Sequence, residues 1–235
     1  MSQSMREFNV PVGIHSIHAS YFGTLKQTAL LLHGGGTSAS KDIFPLRVDL
    51  AQRGIGTLAL DHLGHGRTGG ALEDASLQTR VDEAVATLNF FKPERLLGAI
   101  SMSMGGYVAV RLHQHVNLPA MILIAPAMYD AAAYTTKFGP NFTDIIRKPK
   151  SYERSDAWRI LEKFTGKLLV IAGREDVVIP SEVIHRCYES AISSTRKLVL
   201  LDGIDHFVMS RLRSEEPDRL DSVLDMIMSA LSKES

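Results

Sequence analysis

An α/β protein with a mostly parallel sheet and helices on both faces is predicted by three observations. Short apolar runs recur along the 235-residue chain, and several of them end in glycine or in a loop of small residues. The segments between them carry apolar residues at helical spacing. Regular alternation of this kind, with short connections, implies a parallel sheet rather than an all-helical or all-strand domain. At 45% hydrophobic and 22% charged residues, the chain has enough apolar surface for one core without disulfide support.

Taken in order, Phe8-Asn-Val-Pro-Val and Ile14-His-Ser-Ile-His read as two short strands joined near Gly13, an antiparallel edge. Ala29-Leu-Leu-Leu is an unbroken apolar run followed by glycines, which predicts a strand buried on both faces. A helix from about Ile43 to Gln52 is closed by Arg53-Gly54, and Gly56-Thr-Leu-Ala-Leu is the next strand. Leu77 to Phe91 reads as a helix that stops before Pro93. Arg95 to Ser101 is a strand, Gly105 to His115 a helix and Ala120-Met-Ile-Leu-Ile-Ala another strand. Lys167-Leu-Leu-Val-Ile-Ala, a helix from Glu182 to Ala191 and Lys197-Leu-Val-Leu-Leu continue the alternation. The last helix aligns Leu220, Val223, Leu224, Ile227, Met228 and Leu231 on one face. One stretch breaks the rhythm. Met128 to Gly166 is too long for an ordinary connection and predicts an insertion with helices of its own. The expectation is one domain over 1–235 with that insertion at about 128–166.

The 26 basic and 26 acidic side chains cancel, which gives no footprint for nucleic acid or an anionic membrane. Cys187 stands alone, so an internal disulfide and a multi-cysteine metal site are both excluded. The first residues lack the apolar core of a signal peptide, and no apolar run approaches the roughly 18–20 residues of a membrane span. A soluble cytoplasmic protein is expected, with a small molecule as its main partner and a homodimer as the further assembly to look for.

The strand at Arg95–Ser101 runs into Ser101-Met-Ser103-Met-Gly105-Gly106 before a helix begins. A serine on a sharp strand-to-helix turn needs small residues two before and two after it, because strand and helix backbones nearly touch. Ser103 fits as a nucleophile, with Gly105 in place and Ser101 where glycine is usual. Ser101 is the competing nucleophile, although its own flanks would be Ala99 and Ser103. A serine nucleophile needs a base and a group that orients the base. Where the serine sits on a strand-to-helix elbow of this kind, the chain order is serine, then acid, then histidine. The strand at Lys167 ends in Gly173-Arg-Glu-Asp176, and the last strand ends in Asp202-Gly-Ile-Asp-His206-Phe207. Asp176 and His206 would then share the carboxyl edge of the sheet with Ser103. Glu175 and Asp205 compete for the acid, and a helix-capping role competes for Asp176.

His33-Gly34-Gly35-Gly36 follows the first buried strand. Glycines let backbone N–H groups approach a developing oxyanion, so Gly35 together with Met104 is the expected donor pair. The loop matches neither a phosphate-binding loop nor a dinucleotide fingerprint. Asp61-His-Leu-Gly64-His-Gly66 reads as a structural turn, with Asp61 bonding local amides. His62 and His65 without further clustered ligands are weak evidence for a metal, and neither metal nor cofactor is expected.

Together, His33-Gly-Gly-Gly, Asp61-x-x-Gly-His-Gly, Ser101-x-Ser103-x-Gly-Gly, Gly173-x-x-Asp176-x-x-x-Pro180 and His206-Phe207 resemble the α/β-hydrolase superfamily over nearly the whole chain. Within it the chain looks like small carboxylesterases and the monoacylglycerol-lipase-like and feruloyl-esterase-like members. The resemblance implies an eight-stranded sheet, a Ser–His–Asp triad, an acyl-enzyme mechanism on a small ester or thioester, and a cap at the insertion. A peptidase or amidase with the same triad is the rival activity, and a non-catalytic ligand-binding member of the fold is the rival class. Gly34, Phe207 and the rings of Tyr129, Tyr134, Phe138 and Trp158 are the residues expected to contact substrate. The competing reading is that these insertion rings pack the cap onto the body.

Overall fold

The computed structural model describes residues 4–192 and 195–232. The described residues form eight strands: β1 (Met5–Val12), β2 (His15–Phe22), β3 (Thr28–Leu32), β4 (Gly56–Leu60), β5 (Leu96–Met102), β6 (Ala120–Ile124), β7 (Lys167–Gly173) and β8 (Arg196–Leu201). They lie side by side in the order β1-β2-β4-β3-β5-β6-β7-β8. β1 and β2 form an antiparallel hairpin and β2 is antiparallel to β4, whereas every pairing from β4 to β8 is parallel. The hairpin turns at Gly13, whose φ of 57° is the left-handed conformation that a tight turn requires.

Strand residues alternate between two cores, as a period of two demands. Leu30 and Leu32 of β3 join one apolar cluster with Met121, Leu123, Leu168 and Val170, while Ala29 and Leu31 join the other with Ile122, Ile124, Leu169 and Ile171. The first cluster is closed by α2 (Leu77–Phe91), α3 (Met104–Leu112), α4 (Pro140–Ile146), α5 (Ala157–Glu162) and α6 (Ser181–Ser190). The second is closed by α1 (Phe44–Gln52), α7 (Val208–Glu215) and α8 (Pro217–Leu231). α7 was not expected from the sequence. No helix among the described residues is long and apolar enough to cross a membrane.

Between β6 and β7 the chain makes short helical turns at Ala131–Ala133 and Ser151–Arg154 besides α4 and α5. This segment is fastened to the body at both ends. Near its start, Gln78 N–H donates to the Tyr134 carbonyl at 2.9 Å, and Phe138 N–H donates to the Ala75 carbonyl at 2.9 Å. Near its end, Asp156 accepts the Tyr107 hydroxyl at 2.7 Å and pairs with Arg111, both on α3.

Candidate active site

β5 and α3 meet in a turn that only small residues allow. Ser103 sits at φ 51° and ψ −119°, outside the ordinary regions for a residue with a side chain. Surrounding bonds hold it there: its N–H donates to the Ile124 carbonyl at 3.0 Å, and its carbonyl accepts from Gly106 at 2.9 Å and Ala127 at 3.0 Å. A Cβ on Gly105 would lie 2.6 Å from the Leu32 carbonyl oxygen, so the helix can start this close to β3 only with glycine. Ser101 is fully buried and donates its hydroxyl to the Ile122 carbonyl at 3.2 Å, which uses it as part of the sheet.

The loops after β7 and β8 converge on the same edge. A Cβ on Gly173 would lie 2.0 Å from the Ile204 carbonyl oxygen, and Glu175 N–H donates to that carbonyl at 3.1 Å. This close approach brings the His206 Nδ1 to 2.8 Å from Asp176 Oδ2, while His206 Nε2 lies 3.1 Å from Ser103 Oγ. Asp176 keeps its second oxygen for the loop, where it accepts Val178 N–H at 2.8 Å and Ile179 N–H at 3.0 Å. Those amides precede Pro180, the residue at the N-terminal boundary of α6, which has no side-chain cap. Asp176 therefore braces its own loop and bonds the His206 ring rather than capping the helix. The other acids are committed elsewhere. Glu175 accepts Gly203 N–H at 3.2 Å, and Asp205 accepts Phe207 N–H and the Arg211 guanidinium, which holds its carboxyl below the usual range.

Gly34 and Gly35 lie against the elbow. A Cβ on Gly34 would sit 3.4 Å from Ser103 Cβ, and one on Gly35 would sit 3.0 Å from Met104 Cε. Met104 opens α3, so its N–H has no partner within the helix. Beneath this loop is a buried polar lattice. His33 Nδ1 donates to the Gly34 carbonyl at 2.9 Å, and its Nε2 accepts His62 N–H at 3.3 Å. Arg80 donates to the same Gly34 carbonyl at 3.0 Å and to His65 Nε2 at 2.9 Å. Glu83 binds His62 Nδ1 at 2.6 Å and Leu63 N–H at 3.0 Å. Burial pushes the His33 and His62 imidazoles well below their ordinary pKa and His65 below it, and burial raises the Glu83 carboxyl to about 7. Asp61 accepts Ser40 N–H at 2.7 Å and Arg67 N–H at 2.8 Å, the local bonding expected of a structural turn. Among the described residues no group of three or more histidine, cysteine, aspartate or glutamate side chains is placed to hold a metal ion.

A cavity of about 830 Å³ opens over Ser103. Gly34, Gly35, Met104, Tyr129 and Phe207 all border it, together with His206. Three expected contacts need correction: Tyr134, Phe138 and Trp158 do not line it. Phe138 packs edge-on to Phe142 at 4.8 Å under the Arg80 guanidinium, and Trp158 donates to the Tyr152 carbonyl at 2.8 Å beneath Arg186. Tyr134 lies under the Arg111 guanidinium at 3.6 Å. Burying these rings against the body removes more apolar surface from water than lining an open cleft would. The walls come instead from Ile43, Pro45 and Leu46 at the start of α1 and from Met209, Ser210 and Arg213 on α7. The sequence reading missed this second wall, and it missed Arg80 and Glu83.

A family profile described as serine aminopeptidase, S33, matches residues 23–150, more than half of the chain. No curated protein matches the sequence. Among solved structures, the ferulic-acid-bound Est1E from Butyrivibrio proteoclasticus superposes with a TM-score of 0.74 at 18% identity, over 96% of this chain and 100% of that one. The Pyrococcus furiosus esterase Pf2001 gives 0.74 at 19% identity, over 98% and 94%. A 2-hydroxy-6-oxo-6-phenylhexa-2,4-dienoate hydrolase from Rhodococcus sp. strain RHA1 gives 0.71 at 18% identity, over 97% and 99%. At these identities the likeness is one of fold. With the sheet order and the family match in agreement, the chain belongs to the serine aminopeptidase S33 family and has the α/β-hydrolase fold.

Proposed function

We propose that the protein is a serine hydrolase that cleaves carboxylic esters or thioesters of small acyl or aromatic acids through an acyl-enzyme. The observation that carries this reading is the hydrogen-bonded line Ser103–His206–Asp176 at the edge of a largely apolar cavity. His206 accepts the Ser103 proton through Nε2 as the hydroxyl attacks the carbonyl, and Asp176 fixes the tautomer by accepting from Nδ1. The N–H groups of Gly35 and Met104 hold the oxyanion. His206 then protonates the leaving alcohol or thiol, and water enters by the same route to release the acid. Every proton and charge in this cycle is handled by side chains and amides.

On this reading 1–235 is one domain, and its 128–166 insertion contributes Tyr129 to the cavity. The esterase names among the fold neighbours agree with it, and the apolar wall of Ile43, Pro45 and Leu46 suits an acyl or aryl group. The family description favours one rival, an aminopeptidase, for which Asp42 at the cavity would have to receive a substrate ammonium. Turnover of p-nitrophenyl acetate and butyrate beside aminoacyl-nitroanilides separates the two. Ester turnover with fluorophosphonate labelling at Ser103 is expected. Absence of labelling in folded protein would sink the hydrolase reading, and selective anilide cleavage would replace it with the peptidase.

A further inference from the structure

We infer that Arg80 is a positioning residue for oxyanion stabilisation, setting the Gly34–Gly35 peptide so that the Gly35 N–H faces the reacting carbonyl. The inference rests on the ester-hydrolase reading and extends it to a side chain on α2 that touches no substrate.

Arg80 is 1% exposed, an unusual place for a guanidinium on a helix. Its two terminal nitrogens go to different partners: one to the Gly34 carbonyl at 3.0 Å and the other to His65 Nε2 at 2.9 Å. Its plane lies over the Phe138 ring, 5.1 Å from the centroid. The Gly34 carbonyl therefore receives two donors, Arg80 and the His33 ring, and both draw it into the buried lattice. In a trans peptide the C=O and the following N–H point in opposite directions. Anchoring the Gly34 oxygen on the Arg80 side thus aims the Gly35 N–H away from it, while Gly35 itself lies against Met104, the residue carrying the second donor.

Two consequences follow from the chemistry. Without that anchor, the Gly34 carbonyl keeps only the His33 ring as a donor, so the peptide between two glycines is held less firmly and the donor would have to be reoriented during turnover. With it, a cation on the carbonyl oxygen polarises the amide and strengthens its N–H as a donor, the cooperative effect seen in hydrogen-bond chains. The charge persists at neutral pH: burial lowers the guanidinium, but only to about 10. The histidine tautomers fit the same scheme. His65 must offer Nε2 as an acceptor, and its Nδ1–H is then directed to the Leu63 carbonyl at 3.2 Å.

The test uses the full chain with p-nitrophenyl butyrate, an alkyl trifluoromethyl ketone as a tetrahedral-adduct inhibitor, and fluorophosphonate labelling of Ser103. In Arg80→Lys, one ammonium cannot serve both Gly34 and His65 in the guanidinium's geometry. The expected result is a fall in kcat of roughly 10- to 100-fold, below the ~100- to 1,000-fold loss of an entire oxyanion donor, with KM unchanged. The ketone should lose affinity by the same factor. In Arg80→Ala, methylguanidinium added to the medium should restore part of kcat. Arg80→Lys keeps the charge and much of the volume, so it provides the reading if the alanine variant does not fold. An unchanged kcat and ketone affinity in Arg80→Lys, with labelling intact in the unsubstituted chain, overturns the inference alone. A parallel rise in KM with no change in kcat also overturns it. Failure of the unsubstituted chain to label overturns the hydrolase reading and this inference with it.

Discussion

The insertion between β6 and β7 and the short helix α7 exchange the roles that their compositions suggest. The insertion is rich in aromatic rings, yet Phe138, Trp158 and Phe164 are at most 6% exposed and belong to the apolar core. α7 reads Val-Met-Ser-Arg-Leu-Arg-Ser-Glu and buries only Val208 and Leu212, yet it walls the cavity over Ser103. The difference lies in attachment. α7 starts two residues after His206, so its first turns are carried to the site with the histidine, whereas the insertion is tied down along α2 and α3. Proximity to the reacting groups is set by where the chain is fastened, and ring content says only that something will be buried.

Four outcomes would break or sharpen that contrast. Ser103→Ala should abolish labelling and lower kcat by about 10⁴-fold or more while thermal unfolding stays near that of the parent. Retained turnover would move the nucleophile elsewhere, although Ser101 is already engaged with Ile122. Trp158→Ala should cost about 3–5 kcal/mol of stability, with KM for p-nitrophenyl butyrate unchanged well below the melting temperature. A several-fold rise in KM would return the insertion to the substrate's side. Conversely, Ser210→Trp on α7 should raise KM for longer acyl esters by roughly 10-fold, an effect near 1.4 kcal/mol, with little effect on acetate or on melting. Equal losses for acetate and longer chains would show that α7 does not border the acyl group.

The smallest effect near neutrality concerns the lattice under the Gly34 loop. His33, His62 and His65 are held neutral in the fold, so in the unfolded chain they take up protons more readily as the pH drops below about 6.5. Their contribution to stability is complete above that pH and is lost as the pH falls through it. Glu83, raised to about 7, acts in the opposite sense and favours the fold as the pH falls from about 7 toward its unfolded value. Three rings outweigh one carboxyl, so the melting temperature should fall between about pH 7 and pH 5. A flat or rising profile, followed by differential scanning calorimetry, would show that the rings titrate together with the fold intact.

The sheet was legible because its strands are apolar runs such as Ala29–Leu32 and Ala120–Ile124, buried on both faces. The relation of Ser103, Asp176 and His206 was legible because each follows a strand end in a fixed order, and the geometry brings all three together. α7 was not legible: two buried residues in eight leave no apolar stripe to find. Arg80 and Glu83 were hidden for a related reason. They are a charged pair at i, i+3 on a helix, a pattern usually found facing water, and nothing local reveals that the loop lattice of His33, His62 and His65 closes over them. The fate of the insertion rings depended on distant partners, Arg111 for Tyr134 and Arg186 for Trp158, which sequence spacing cannot identify.

The backbone of Ser103 is bonded to Ile124 and Ala127, at the point where β6 passes into the insertion. That junction divides the chain for loop grafting and for natural variation alike. Lengthening or shortening the chain between Ile124 and Tyr129 would shift the ladder that holds the serine in its strained conformation. Exchange of segments beyond Tyr129 leaves that ladder untouched but removes core rings such as Phe138, Trp158 and Phe164, so a graft there must bury as much apolar surface as it replaces.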